Sequence, residues 1–322
     1  MLQMVLIGIG AGAATALLFA SVASGAVVSI LLFYLAPLPI LIAAVGWSHW
    51  AGLIAALTAS AGLAAFFGGY FFLAFLLGIG LPAWWLGYLT LLARPVAAPT
   101  ATSDGLEWYP VGNLVVWTAI LGALVVAGVI LSMGMEADSF RSQMRSAIDR
   151  MLNVATRPDP TPGGVEARKM LLDTLVFALP LFAGVLTTMV NAINLYLAVR
   201  VAHVSGRLKR SMPELPTMRF PSYAPIVTGL AFIGVLLPGM FGVVAGVLAA
   251  AMMMAYAILG FAVLHAITQG LKARPFVLGA VYATVIMFFW PLIMTSLVGL
   301  ADSAFDFRAR AAAKRGPPTT FT

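Results

Sequence analysis

Few polar side chains fall inside the long apolar stretches of this sequence, and five of them could bind a small solute. They are Thr187, Thr188, Asn191, Asn194 and His265. On a helix, the two threonines lie one turn before the two asparagines, so these four side chains would form one polar stripe. Their amides and hydroxyls could hydrogen-bond a polar solute, or they could hydrogen-bond to a neighbouring helix. His265 could act as a ligand or proton relay, or it could lie among lipid headgroups.

Signatures of known enzymes are absent from the sequence, and we therefore predict a protein that is not an enzyme. There is no G-x-x-x-x-G-K-[ST] phosphate loop, no H-E-x-x-H motif and no G-x-S-x-G motif. No two acids fall within one apolar stretch, which argues against a proton pump built on paired carboxylates. The three histidines are scattered and cysteine is absent, so we expect no metal site and no cofactor.

The elements that would carry the polar stripe are membrane-spanning helices. No Asp, Glu, Lys or Arg precedes Arg94, and the chain is 62% hydrophobic and 9% charged, with a mean hydropathy of +1.02. Soluble domains carry about 25% charged residues, whereas about 20 apolar residues in a helix span a bilayer core. The apolar runs are continuous rather than alternating. They predict an all-α, polytopic transmembrane helix bundle, with the lipid bilayer as its surroundings.

We predict about nine spans, or eight if one of the shorter ones only re-enters the membrane. They cover residues 2–24, 27–46, 50–68, 70–92, 113–133, 171–199, 225–240, 242–268 and 276–300. The run 225–268 is too long for one crossing, so it is divided at Pro238 and Gly239. Asp173 is expected to cap the start of the sixth span. Residues 1–300 would form a single integral membrane domain, followed by a polar, basic tail at 301–322.

Within the polar loop 134–170, residues 136–155 predict an amphipathic helix. Its apolar face would lie in the plane of the lipid headgroups. On its polar face, Arg145 and Asp149 are four residues apart and are expected to pair. A lid over a cavity is the alternative role of this segment.

Basic residues indicate the orientation of the chain in an inner membrane. The loop 200–224 holds five Lys or Arg residues against one acid, and the loop 134–170 holds six interleaved with five acids. A single span separates the two loops, so only one can be cytoplasmic, and the denser bases favour 200–224, together with the N-terminus. Nine spans would then leave the basic tail outside, so either the count is eight or ten or the tail violates the positive-inside rule. We attribute the net charge of +7 to orientation and to anionic headgroups, and we expect no nucleic-acid partner.

Small residues recur at a spacing of four along the first span, at Gly8, Gly12, Ala16 and Ala20. Such a face lets another helix backbone approach closely. The approaching helix could belong to the same chain or to a partner subunit.

Three C-terminal segments resemble the YybS-like family of bacterial multi-pass membrane proteins of unknown function. They are 256–265 (YAILGFAVLH), 272–275 (KARP) and 299–308 (GLADSAFDFR). That family is distantly similar to the substrate-binding subunits of energy-coupling-factor importers, which capture vitamins or metals and depend on a separate ATPase module. The resemblance implies a solute-binding or transport subunit that relies on a partner ATPase and docks through the small-residue face of the first span. The alternative is a non-catalytic scaffold that organises an envelope or division complex.

Overall fold

The computed structural model describes residues 1–95, 105–155, 161–212 and 215–310, which form thirteen α-helices and one two-stranded antiparallel ribbon. The first seven helices are α1 (Leu2–Ala20), α2 (Val27–Tyr34), α3 (Pro37–Gly46), α4 (His49–Phe67), α5 (Tyr70–Phe75), α6 (Leu81–Thr90) and α7 (Val111–Met133). Strands β1 (Ala93–Pro95) and β2 (Leu106–Trp108) form the ribbon between α6 and α7. The remaining helices are α8 (Ala137–Ala155), α9 (Pro162–Val204), α10 (Tyr223–Val235), α11 (Met240–Ile267), α12 (Arg274–Phe288) and α13 (Pro291–Phe305).

Seven helical segments of the described chain are long and apolar enough to cross a membrane. They are Leu2–Ser24, Val27–Gly46, His49–Phe67, Tyr70–Thr90, Val111–Met133, Pro162–Val204 and Met240–Ile267. The first five and the last coincide within a few residues with predicted spans. The all-α prediction is confirmed for the described part of the chain, and the architecture is compatible with a multi-pass membrane protein.

The sixth predicted span is the central part of a much longer helix. Helix α9 has 43 residues, and its N-cap is Thr161, whose hydroxyl accepts a hydrogen bond from the Gly164 backbone N–H at 3.1 Å. The prediction that Asp173 caps this helix is therefore wrong. Asp173 lies three turns inside α9, where its carboxylate pairs with Arg145 of α8.

The last predicted span, 276–300, is two helices rather than one. Phe289 separates α12 from α13 and has a φ of 57°, in the left-handed region that an α-helix cannot continue through. Pro291 then begins α13, because a proline without an N–H is tolerated in the first turn of a helix. At 15 residues each, both helices are about 22 Å long, shorter than a bilayer core of about 30 Å.

Helices α12 and α13 form a hairpin that packs beside the C-terminal half of α11. The Tyr282 ring of α12 stacks on Phe261 of α11, with 5.1 Å between the ring centroids. On the return, the Ser296 hydroxyl of α13 donates a hydrogen bond to the Met253 carbonyl at 2.8 Å. We call this pair the C-terminal hairpin. Its short helices are compatible with the re-entrant element of the eight-span alternative.

The loop 205–222 joins several elements at one end of the bundle, which we call the loop end. The Lys209 ammonium donates to the Trp47 carbonyl between α3 and α4, and the Arg210 guanidinium donates to the Tyr109 carbonyl beside β2. Arg308, just after α13, donates to the Met218 carbonyl at 2.6 Å. Helix α8 connects α7 to α9 at the opposite end, which we call the α8 end.

The polar tail predicted from residue 301 begins inside a helix. Helix α13 continues to Phe305, and Asp302 within it is 3% exposed. The Asp302 carboxylate accepts a hydrogen bond from Nε of Arg308 at 2.8 Å, so these residues belong to the folded bundle. Residues 311–322 lie outside the described part of the chain.

Candidate functional site

One of the four side chains in the polar stripe of α9 makes a hydrogen bond to another helix. The Asn194 side-chain amide donates to the Tyr34 carbonyl at the end of α2, at 2.8 Å, and to the Val190 carbonyl one turn earlier at 2.9 Å. The Thr187 and Thr188 hydroxyls donate to carbonyls of their own helix. Asn191 is 8% exposed, and its amide nitrogen is buried without a hydrogen-bond partner. The sequence left two roles open for this stripe, and in the structure Asn194 has the second, a hydrogen bond to a neighbouring helix.

His265 lies on α11 and faces the C-terminal hairpin. Its Nδ1 is 2.9 Å from the Phe261 carbonyl, and its ring contacts Tyr282 edge-on at 5.9 Å between centroids. Asn194 of α9 instead faces α2, as its bond to Tyr34 shows. The structure therefore does not bring the five predicted solute-binding residues together, and none of the five lines either of the cavities described below.

The small-residue face of α1 is occupied by another helix of the same chain. A Cβ added at Gly8 would lie 2.9 Å from the Ala51 carbonyl of α4, and one at Gly12 would lie 2.6 Å from the Ala55 carbonyl. Ala16 packs beside Gly62 of the same helix, and Ala20 packs against the neighbouring core. The assignment of this face to a partner subunit is corrected, because α4 already covers the glycines.

The amphipathic segment is helical, as predicted, and part of its apolar face packs on the bundle. Phe140 and Ile148 are 1% and 6% exposed, whereas Met151 on the same face is 73% exposed. The predicted pair between Arg145 and Asp149 is wrong, since both side chains pair with α9 instead. Arg145 binds Asp173, and Asp149 binds Arg168 with 2.7 Å between the charged atoms. Two ion pairs therefore hold α8 against α9.

One large cavity lies next to α8 at the α8 end, which we call the α8 cavity. It has a volume of about 720 Å³, and its walls come from α8, α9, α10 and α11. Phe140 and Arg145 of α8 line it, as does Pro180, which lies inside the continuous helix α9. Helix α8 thus has the position that its alternative role as a lid would require.

A second large cavity, the central cavity, lies between α7, α9, α11 and the C-terminal hairpin. Its volume is about 630 Å³, within the range of about 300–1,000 Å³ that small-molecule sites occupy. Apolar side chains dominate its walls, among them Leu114 of α7, Ile193 of α9, Ile258 of α11 and Ile286 of α12. Such walls suit a largely apolar ligand.

One charged side chain lines the central cavity among the described residues, and it is Arg210 of the loop 205–222. Arg210 is 9% exposed. Its Nη1 donates to the Tyr109 carbonyl at 3.2 Å and lies 3.5 Å from the Thr90 carbonyl, while Nε has no partner. Burial lowers the pKa of the guanidinium from its ordinary value, yet an arginine stays protonated in proteins. The cavity therefore combines apolar walls with a buried positive charge.

Four side chains with a hydroxyl group line the same cavity, and the two threonines are committed to the protein. The Thr90 hydroxyl donates to the Leu86 carbonyl at 2.7 Å, and the Thr118 hydroxyl donates to the Val115 carbonyl at 2.7 Å. Tyr196 and Tyr282 are the other two. Arg210 is the charged group among the described lining residues that could meet a polar part of a ligand. Sequence reasoning counted Arg210 only as one of five loop bases, because no local pattern distinguishes it from its exposed neighbour Lys209.

No group of three or more His, Asp or Glu side chains that could hold a metal ion occurs in the part of the chain that the structure describes. Two of the five acids at the α8 end, Asp149 and Asp173, are each paired with an arginine of a neighbouring helix. We therefore build the candidate site on the central cavity alone.

Comparison with known proteins adds no identification, because no family model, curated protein or solved structure matches this chain.

Proposed function

We propose that this chain is a solute-binding or transport protein of the membrane, and that its solute is an amphiphile whose apolar part occupies the central cavity. The observation that supports the proposal is the cavity of about 630 Å³ with apolar walls from α7, α9, α11 and α12. The cavity is open on one side, since its wall residues Ile193, Ile286 and Phe289 are 46%, 75% and 64% exposed. An apolar chain that lies in it gains dispersion contacts with these side chains.

Transport by this protein would need a separate source of energy. The sequence has no phosphate-binding loop, so ATP-driven movement would require a partner ATPase of the kind that the importer resemblance implies. A bacterial inner membrane and the YybS-like resemblance belong to the same proposal.

The first test fills the cavity. Ala192 lines it, whereas Ala178 lies on an exposed surface of the same helix, α9. The protein with Ala192→Phe, the protein with Ala178→Phe and the unchanged protein would be purified in mild non-ionic detergent. Molecules that copurify would then be extracted and measured by mass spectrometry.

We expect the unchanged protein and Ala178→Phe to retain about one equivalent of an amphiphile and Ala192→Phe to lose most of it. Equal retention by both variants would place the ligand outside the central cavity. A folded protein that retains nothing, and that binds none of the probes named in the next subsection, would leave the scaffold alternative in place of the binding function.

A further inference from the structure

Arg210 is a buried cation for which the described residues offer no carboxylate. The six ion pairs among the described residues involve other arginines. Its surroundings contribute two backbone carbonyls, at 3.2 and 3.5 Å from Nη1, and leave Nε buried without a partner. A charge removed from water is costly unless an opposite charge compensates it.

The position of Arg210 fixes where a compensating group would lie. The guanidinium lines the central cavity beside Thr90 and Leu215, at the loop end. The remaining wall toward the middle of α11 is formed by side chains such as Ile258 and Phe289. A ligand that satisfies both parts has an acidic group at one end and an apolar chain at the other.

We propose that Arg210 binds the anionic head group, a carboxylate or a phosphate, of the amphiphile whose apolar part occupies the central cavity. This inference rests on the proposed function and adds the chemical class of the head group. An arginine suits this role because its planar donors match both carboxylate and phosphate oxygens, and such charge-assisted hydrogen bonds are stronger than neutral ones. The interaction selects among amphiphiles, while the apolar walls supply attraction for the chain.

Three probes with the same 16-carbon chain separate the head group from the chain. Hexadecanoate and hexadecyl phosphate carry an anion, and hexadecanol has a neutral hydroxyl. Native mass spectrometry of the purified protein in non-ionic detergent would give the bound fraction for each probe. Acetate and inorganic phosphate, tested alone, show whether an anion without a chain binds.

We expect both anionic probes to bind at least about tenfold more tightly than hexadecanol, since a hydrogen bond to a charged group contributes about that factor or more. In Arg210→Gln this preference should fall to less than about threefold, while the affinity for hexadecanol stays within about twofold. Arg210→Lys, which keeps the charge, should retain part of the preference. Lys209→Gln is the matched control, because Lys209 is the exposed neighbouring base and does not line the cavity.

The outcomes separate this inference from the proposed function. Equal binding of hexadecanoate and hexadecanol to the unchanged protein would overturn the role of Arg210 and leave the cavity as an apolar binding site. An absence of binding by all three chains would overturn the proposed function itself. The comparison of probes on the unchanged protein needs no variant, so it stays decisive even if Arg210→Gln fails to fold.

Discussion

Two asparagines on the same face of α9 differ in their hydrogen bonding. Asn194 is 1% exposed and joins α9 to the carbonyl of Tyr34, whereas the amide nitrogen of Asn191, one turn earlier, is buried without a partner. The residue types and their spacing were enough to predict a polar stripe. Which amide meets a free carbonyl depends on where α2 ends, and that is set by packing far from α9 in the sequence.

The two amides give a matched pair of substitutions. We expect Asn194→Leu to lower the free energy of unfolding by about 0.6 kcal/mol, the average for hydrogen bonds between membrane helices, and by no more than the maximum of about 1.7 kcal/mol. Asn191→Leu should be neutral or stabilising, because it removes a buried donor that has no acceptor. Reversible unfolding in mixed detergent micelles measures both. A larger loss of unfolding free energy for Asn191→Leu than for Asn194→Leu would contradict the hydrogen bonding described. Loss of the bound amphiphile in either variant would indicate that the polar stripe takes part in binding.

Arg210 shows a different limit of sequence reasoning. The composition of the loop 200–224 predicts a cytoplasmic location from its bases, and it treats these bases as equivalent. In the structure Arg207 lies over the Trp47 ring at 4.5 Å and Arg219 pairs with Asp306, while Arg210 is buried at the cavity. Which of these three arginines points into the bundle depends on the tertiary fold of the loop. No periodic pattern in the sequence predicts it.

Among the elements, the C-terminal hairpin is the one that sequence reasoning represented least well. Hydropathy alone joins residues 276–300 into one span, because Phe289 and Trp290 are as apolar as the helices they separate. Pro291 is visible in the sequence, but a proline inside a membrane helix more often bends the helix than ends it. The break follows from the left-handed backbone at Phe289 and from the close contact that α13 makes with α11.

That contact depends on two glycines, one on each helix. A Cβ at Gly260 of α11 would overlap the Thr295 carbonyl, and a Cβ at Gly299 of α13 would overlap the Tyr256 carbonyl. We expect Gly260→Ala and Gly299→Ala each to force the helices apart and to lower the free energy of unfolding by about 1 to 3 kcal/mol or more. Because the hairpin forms one wall of the central cavity, these variants should also release the bound amphiphile.

Gly279 on α12 is the control, since no atom lies within 4 Å of a Cβ built there. Gly279→Ala should be neutral or stabilising by up to about 1 kcal/mol, because alanine favours a helix more than glycine does. Thermal unfolding followed by tryptophan fluorescence compares all three variants. If Gly299→Ala were as stable as Gly279→Ala, the close crossing of α11 and α13 would not exist.

For the whole molecule, the charges of the described residues divide between the two ends of the bundle. The loop end is strongly basic, with three acids (Glu107, Asp302, Asp306) against ten bases (Arg94, Arg200, Arg207, Lys209, Arg210, Arg219, Lys272, Arg274, Arg308, Arg310). At the α8 end, five bases (Arg141, Arg145, Arg150, Arg168, Lys169) face five acids (Glu136, Asp138, Asp149, Glu166, Asp173). The positive-inside rule therefore predicts that the loop end is cytoplasmic.

This division removes the conflict that nine spans created. With nine crossings the basic tail lay outside, but Asp306 pairs with Arg219 of the loop 205–222, with 3.0 Å between the charged atoms. The start of the tail is therefore at the loop end, together with the beginning of α1, which packs on the beginning of α4. A hairpin that entered and left at the loop end would reduce the predicted crossings from nine to eight, with the 13-residue helix α10 counted as one of them. An even number of crossings would bring the start of α1 and the end of α13 to one side.

The absence of cysteine makes this topology directly measurable, because each introduced thiol is the only one in the chain. Single cysteines at Ser205, Lys272 and Ala309 occupy exposed positions at the loop end, and one at Ser146 occupies an exposed position on α8. We expect a membrane-impermeant maleimide to label the first three from the same side, the cytoplasmic one, and Ser146→Cys from the opposite side. Labelling of Ala309→Cys together with Ser146→Cys would mean that α12 and α13 cross the membrane as one unit. In that case the hairpin could not form the wall of the central cavity. The result would then contradict both the predicted topology and the proposed binding site.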